Sequence, residues 1–220
     1  SSYNILLVAA RKSMICEFIN VINSAHLFIK DIKSSVLIMD RLIPNNLASS
    51  ISVVVNVTSE ICNILIMDNN SVAFARTIIM KESLHKAINT MYANSFLRYG
   101  DKEFNVNNKN PSSDIPVMEH DYSSENIDEI VKFVTEEIRS SITYFLSQNR
   151  SARIDNILLV GYADDKEYLA KALKSNIQVN TQVLKPSEYL YKDWPFLNKE
   201  NCDPSEYALA FSLALHGLED

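Results

Sequence analysis

The residues of most chemical consequence are the turn Thr58-Ser59-Glu60 and Asn56 just before it. They lie inside residues 51–80, ISVVVNVTSEICNILIMDNNSVAFARTIIM. A tight turn between strands grips phosphate when glycine lets backbone N–H groups approach the anion closely. This turn has no glycine, and Glu60 puts a carboxylate where the phosphate would sit. At ~4 Å and an effective dielectric near 20, two like charges repel by roughly 4 kcal/mol. That exceeds one or two backbone hydrogen bonds at about 1 kcal/mol each. Ser59 can donate a hydroxyl hydrogen bond, although a turn serine ordinarily satisfies nearby backbone groups. Lys81 can reach a phosphate in principle; a solvated charge at a helix start is the plainer reading. Asn56 can hold a water but cannot act as a base.

Composition narrows the chemistry further. The 220 residues include 3 glycines, Gly100, Gly161 and Gly217, where average usage would supply about fifteen. No G-x-G-x-x-G, P-loop or G-x-S-x-G occurs, so the nucleotide and ester chemistries of those motifs are disfavoured. The net charge of −6 argues against a general nucleic-acid surface. No apolar run is long enough to span a bilayer, and no signal peptide is visible. Cys16, Cys62 and Cys202 are odd in number and far apart, Cys16 and Cys62 lie in apolar segments, and they read as buried reduced thiols. His26, His85, His120 and His216 show no metal-ligand spacing. The length suits one compact domain or two small subdomains, with a core that needs no disulfide or metal. Ser1 and Ser2 run straight into a strand, which reads as an expression remnant or a truncated start.

The elements that must position these groups follow from periodicity. Residues 51–57, 62–67 and 71–80 read as a meander of apolar strands, with Asp68-Asn69-Asn70 as a turn because Asn tolerates φ > 0. Residues 3–9 and 154–160, YNILLVA and IDNILLV, read as buried strands, and 28–32 and 178–184 as shorter ones. A helix is expected over 11–26, with Ile15, Phe18, Ile19 and Ile22 on one face, and another over 34–42, stopped by Pro44. Residues 82–99 read as a helix capped by Gly100. The long helix 124–148 shows a core stripe that includes Ile130, Val134, Ile138 and Phe145. Further helices are expected over 165–175 and from Asp203, an N-cap followed by Pro204, to Gly217. The polar connection 101–123 is expected to be mobile. The order implies α/β with a mixed sheet.

Four segments together resemble one family. ILLVAARK, residues 5–12, is similar to the strand-to-helix junction of PilM-type proteins. These are actin-like components of type IV pilus assembly, related in fold to the cell-division protein FtsA. EIRSSITYF, residues 137–145, resembles the family's E-I-x-R-S-L-x-F-F helix segment, and SLALHG, residues 212–217, its terminal G-L-A-L-R-G. The meander takes the place of the family's second phosphate hairpin. In order, the four cover nearly the whole chain and resemble roughly the C-terminal two-thirds of such a protein. The implied fold is an actin-like (ribonuclease H-like) α/β subdomain with a mixed sheet over 46–220, preceded by the end of a first-lobe subdomain over 1–45.

The departures from that pattern shape the functional expectation. The family's hairpin opens Asp-Ile-Gly; here it reads Asn56-Val57-Thr58. Lys81-Glu82 replace a Gly-Gly pair after the third strand, and Gly161-Tyr162 replace the adenosine-side pair. His26 stands for a helix-terminating glycine and Ser212 for the glycine that opens the last motif. Asn56, Thr58, Ser59, Lys81, Gly161 and Tyr162 therefore match nucleotide positions but are expected not to hold a nucleotide. The family's first phosphate hairpin has no counterpart in these residues. No catalytic residue, metal or cofactor is expected; the alternative is an assembly protein that binds and hydrolyses ATP with magnesium. The resemblance implies a scaffold at the cytoplasmic face of a type IV pilus or type II secretion inner-membrane platform. It would bind the cytoplasmic tail of a PilN-like inner-membrane protein. A pilus assembly ATPase and a second copy of the chain are further candidate partners, and nucleic acid is not. The tail is expected to bind in the first lobe, where the helix over 11–26 offers Lys12, Glu17, Asn20 and Asn23.

Overall fold

The computed structural model describes residues 7–84, 124–161, 166–185 and 207–218. The expected helix 82–99 beyond Leu84, the connection 101–123, and Asp203 and Pro204 at the start of the last expected helix lie outside them. The chain divides into two compact units, Ser1–Ser35 and Val36–Asp220, where the sequence reading drew its line after residue 45.

The first unit is built on α1, Lys12–Ser24. Ile15, Ile19 and Ile22 recur at helical spacing and are half-buried, whereas Phe18, expected beside them, is exposed. The helix ends firmly. His26 takes φ +57°, its N–H donates to the Asn23 carbonyl at 3.0 Å, and the Leu27 N–H donates to Ile22 at 3.2 Å. This paired stop needs a left-handed residue, a place glycine fills more easily than histidine. Residues 28–32, expected as a strand, do not form one. Of the strand expected over 3–9, residues 7–9 are not strand and residues 3–6 lie outside the described residues. A strand exists by pairing its N–H and C=O groups, and no ladder forms among the described residues of this unit.

The second unit is a five-stranded sheet. Its strands are β1 Ile51–Val57, β2 Ile61–Asp68, β3 Ser71–Ile79, β4 Asn156–Gly161 and β5 Asn180–Val183. The order is β3-β2-β1-β4-β5. β1 and β2 pair antiparallel, as do β2 and β3, while β4 joins β1 and β5 in parallel. The expected meander is present. Asn69 and Asn70 take φ +46° and +62° in the β2–β3 turn, the two positive values that match the twist of a two-residue hairpin. Beyond that turn the register slips between Ile66 and Met67, leaving Ala73 as an extra residue on β3. Gln178, expected to open the last strand, instead takes φ +61° and donates its N–H to the Lys174 carbonyl, so it ends a helix.

Both sheet faces are covered, which is why β1 and β4 read as almost continuous apolar runs rather than alternating ones. On one face Val53, Val55, Ile64, Ile157 and Leu159 pack with α2, Ser124–Gln148, and α3, Lys166–Ile177. Ile130, Val134, Ile138 and Phe145 of α2 are buried there, as the stripe predicts. Arg76 on β3 pairs with Glu137 on α2 at 3.0 Å, and the Arg139 guanidinium donates to the Asn176 carbonyl. On the other face Val54, Leu65 and Leu158 meet Val36, Met39, Leu42 and Ala208. The expected helix 34–42 is a 3₁₀ turn, Leu37–Leu42, followed after Pro44 by another, Asn45–Leu47. Val36, Met39 and Leu42 recur every three residues, the period at which 3₁₀ side chains line up, and Pro44 cannot continue an α-helix. The last helix, α4, Ala208–Leu218, docks on this turn. Its buried Ser212 hydroxyl donates to the Ile38 carbonyl, and His216 Nε2 lies 3.1 Å from Asp40 Oδ1. A buried leucine side chain contributes about 1.5–3 kcal/mol, so apolar packing outweighs these polar ties.

Two predictions test this packing. Burial, and then the Glu137 carboxylate, push the Cys62 thiol up to about 12. Cys62 is buried as expected, but Cys16 is exposed on α1 where burial was expected. Iodoacetamide at pH 8.5 is expected to label Cys16 and spare Cys62 until urea unfolds the chain; native labelling of Cys62 at the unfolded rate would contradict it. The raised value lies above that of the unfolded thiol. Its stabilising contribution is therefore full below about pH 9 and is lost as pH climbs toward about 12. At the β2–β3 turn, Asn70→Val should lower the unfolding free energy by about 1–2 kcal/mol. Asn70→Gly should leave it unchanged or raise it, both read from urea midpoints.

Candidate functional site

The polar groups of the second unit that matched nucleotide positions gather at the end of β1. Asn56 is in register with Asn63 on β2 and Val160 on β4. Both asparagines belong to the same sheet face as Val54 and Leu65, because side chains alternate along a strand. Each is almost fully buried, and neither amide nitrogen has a hydrogen-bond partner among the described residues. The Asn63 carboxamide oxygen accepts the Thr77 hydroxyl at 2.8 Å. Asn63 was missed in the sequence because it sits inside a run read as apolar. The available signal was its place opposite Asn56 once the hairpin register is counted.

Thr58 closes the β1–β2 turn. Its N–H and its hydroxyl both donate to the Ile61 carbonyl, at 2.9 and 3.0 Å. Its hydroxyl oxygen in turn accepts the N–H groups of Glu60 at 3.3 Å and Ile61 at 3.1 Å. Those are the backbone donors that a phosphate-gripping turn would present. The Glu60 carbonyl accepts the Met80 N–H at 2.8 Å, which ties the end of β3 to the same corner. Ser59 is half-buried and Glu60 exposed at the tip.

Gly161 ends β4 opposite Val57, with φ +104°. A Cβ there would lie 2.3 Å from the Val57 carbonyl oxygen and 2.7 Å from the Asn56 side-chain oxygen. Close approach therefore requires glycine at this position, whatever else it does. Lys81 is separated from the end of β3 by Met80, but its Nζ sits 5.5 Å from the centre of the Phe133 ring, a cation–π contact that turns the charge onto α2. Tyr162 lies outside the described residues.

The structure thus brings Asn56, Thr58, Ser59 and Gly161 to one corner and takes the Lys81 amine to a neighbouring helix. These groups do not fit a magnesium-bound phosphate. The buried amide of Asn56 offers no anionic oxygen to a cation, the Glu60 and Ile61 N–H groups are taken by Thr58, and Glu60 adds negative charge. Among the described residues no group of three His, Cys, Asp or Glu side chains is placed to hold a metal ion. No described helix is long and apolar enough to cross a membrane. In the first unit, Lys12, Glu17, Asn20 and Asn23 are all exposed. At 100° per residue Lys12, Asn20 and Asn23 share one side of α1 and Glu17 borders it.

A family model described as type IV pilus assembly protein PilM matches residues 1–218. Among solved structures, the chain is similar to one titled PilM-PilN type IV pilus biogenesis complex, at 17% identity and a TM-score of 0.68. The match covers 96% of this chain and 60% of that one, so the chain spans less than two thirds of its length. A Bacteroides thetaiotaomicron protein with an actin-like ATPase fold and unknown function matches at 14% identity and a TM-score of 0.35, over 69% and 38% of the two chains. Component A of Acidaminococcus fermentans (R)-2-hydroxyglutaryl-CoA dehydratase matches at 14% and 0.39, over 94% and 85%. No curated protein matches the chain. The mixed sheet with helices on both faces is an actin-like α/β fold.

Two substitutions test the corner. Gly161→Ala forces a Cβ onto the Val57 carbonyl and strains a left-handed backbone, so it should cost about 3 kcal/mol or more in urea unfolding. Thr58→Val keeps the shape but leaves two N–H groups without their acceptor. It should cost about 1–2 kcal/mol, and an unchanged midpoint would show that the hydroxyl does not close the turn.

Proposed function

This chain belongs to the PilM family of type IV pilus assembly proteins, and from that membership we propose that it acts in pilus assembly as a non-catalytic actin-like scaffold. Its role is to bind the cytoplasmic tail of a PilN-like inner-membrane protein and so hold part of the assembly platform in place. The observation that carries the non-catalytic half is the Thr58 hydroxyl, which takes the Glu60 and Ile61 N–H groups. With those two N–H groups taken, the turn keeps only Ser59 to donate to a phosphate, and Asn56 supplies no carboxylate. Support for the binding half is the family match over residues 1–218, together with a likeness to a structure titled as a PilM-PilN complex. On this reading the protein works at the cytoplasmic face of the inner membrane. The exposed side of α1, with Lys12, Glu17, Asn20 and Asn23, is the surface proposed for the tail.

Calorimetric titration of Mg-ATP into the protein, beside a PilM relative with its glycines intact, is expected to show no binding tighter than about 1 mM, or roughly −4 kcal/mol. Micromolar binding would overturn the non-catalytic reading. A synthetic tail peptide should bind, and the double variant Lys12→Glu, Asn20→Arg should weaken it roughly tenfold, about 1.4 kcal/mol. A folded double variant with unchanged affinity would remove α1 from the tail surface.

A further inference from the structure

We draw no further inference here: the strongest candidate, the exposed apolar arc of α1 formed by Met14, Phe18 and Val21, has nothing in the structure to show what covers it, and the buried amide pair of Asn56 and Asn63 belongs to the site already described.

Discussion

Two-sided burial of the three middle strands is the constraint on which the second unit depends. β2, β1 and β4 expose almost nothing, so each must find a covering layer above and below the sheet. On one side α2 and α3 provide it. On the other, a 3₁₀ turn from before the sheet and the last helix of the chain meet over Val54, Leu65 and Leu158. That second layer joins segments more than 170 residues apart, through the Ser212–Ile38 hydrogen bond. Beginning and end of the unit are therefore one structural element, and the small buried Ser212 is what lets them approach. The position that resembled a family glycine is explained by packing, since a larger side chain would lift α4 from the turn.

Much of this was legible in the residues. The meander could be read because β-branched runs and an Asn-Asn turn act locally, and α2 because its stripe repeats at helical spacing over 25 residues. The misreadings share a physical cause. Residues 28–32 have the composition of a strand, but strand formation is decided by a partner elsewhere. Gln178 has no helix-stop signature, yet it takes the left-handed conformation because the helix before it must end. The helix expected over 34–42 is a shorter 3₁₀ turn because so short a segment does not separate periods of 3.0 and 3.6.

Legibility was uneven at the corner too. The sequence alone supplied the missing glycine and carboxylate. It could not supply the internal bond from Thr58 to its own turn, nor the swing of Lys81 onto Phe133, because both are facts of side-chain direction. Nothing in the sequence pairs Glu137 with Arg76, yet it anchors that residue of the edge strand. Charged residues are poorly placed by composition when their partner comes from a distant element.

The closed turn has a further consequence for timing. A hairpin that draws its order from a ligand changes stiffness as that ligand comes and goes, and so can act as a clock. Here the order comes from a side chain of the turn itself and needs no ligand to supply it. If the proposed scaffold role holds, a hairpin with that single setting leaves the timing of assembly to another component.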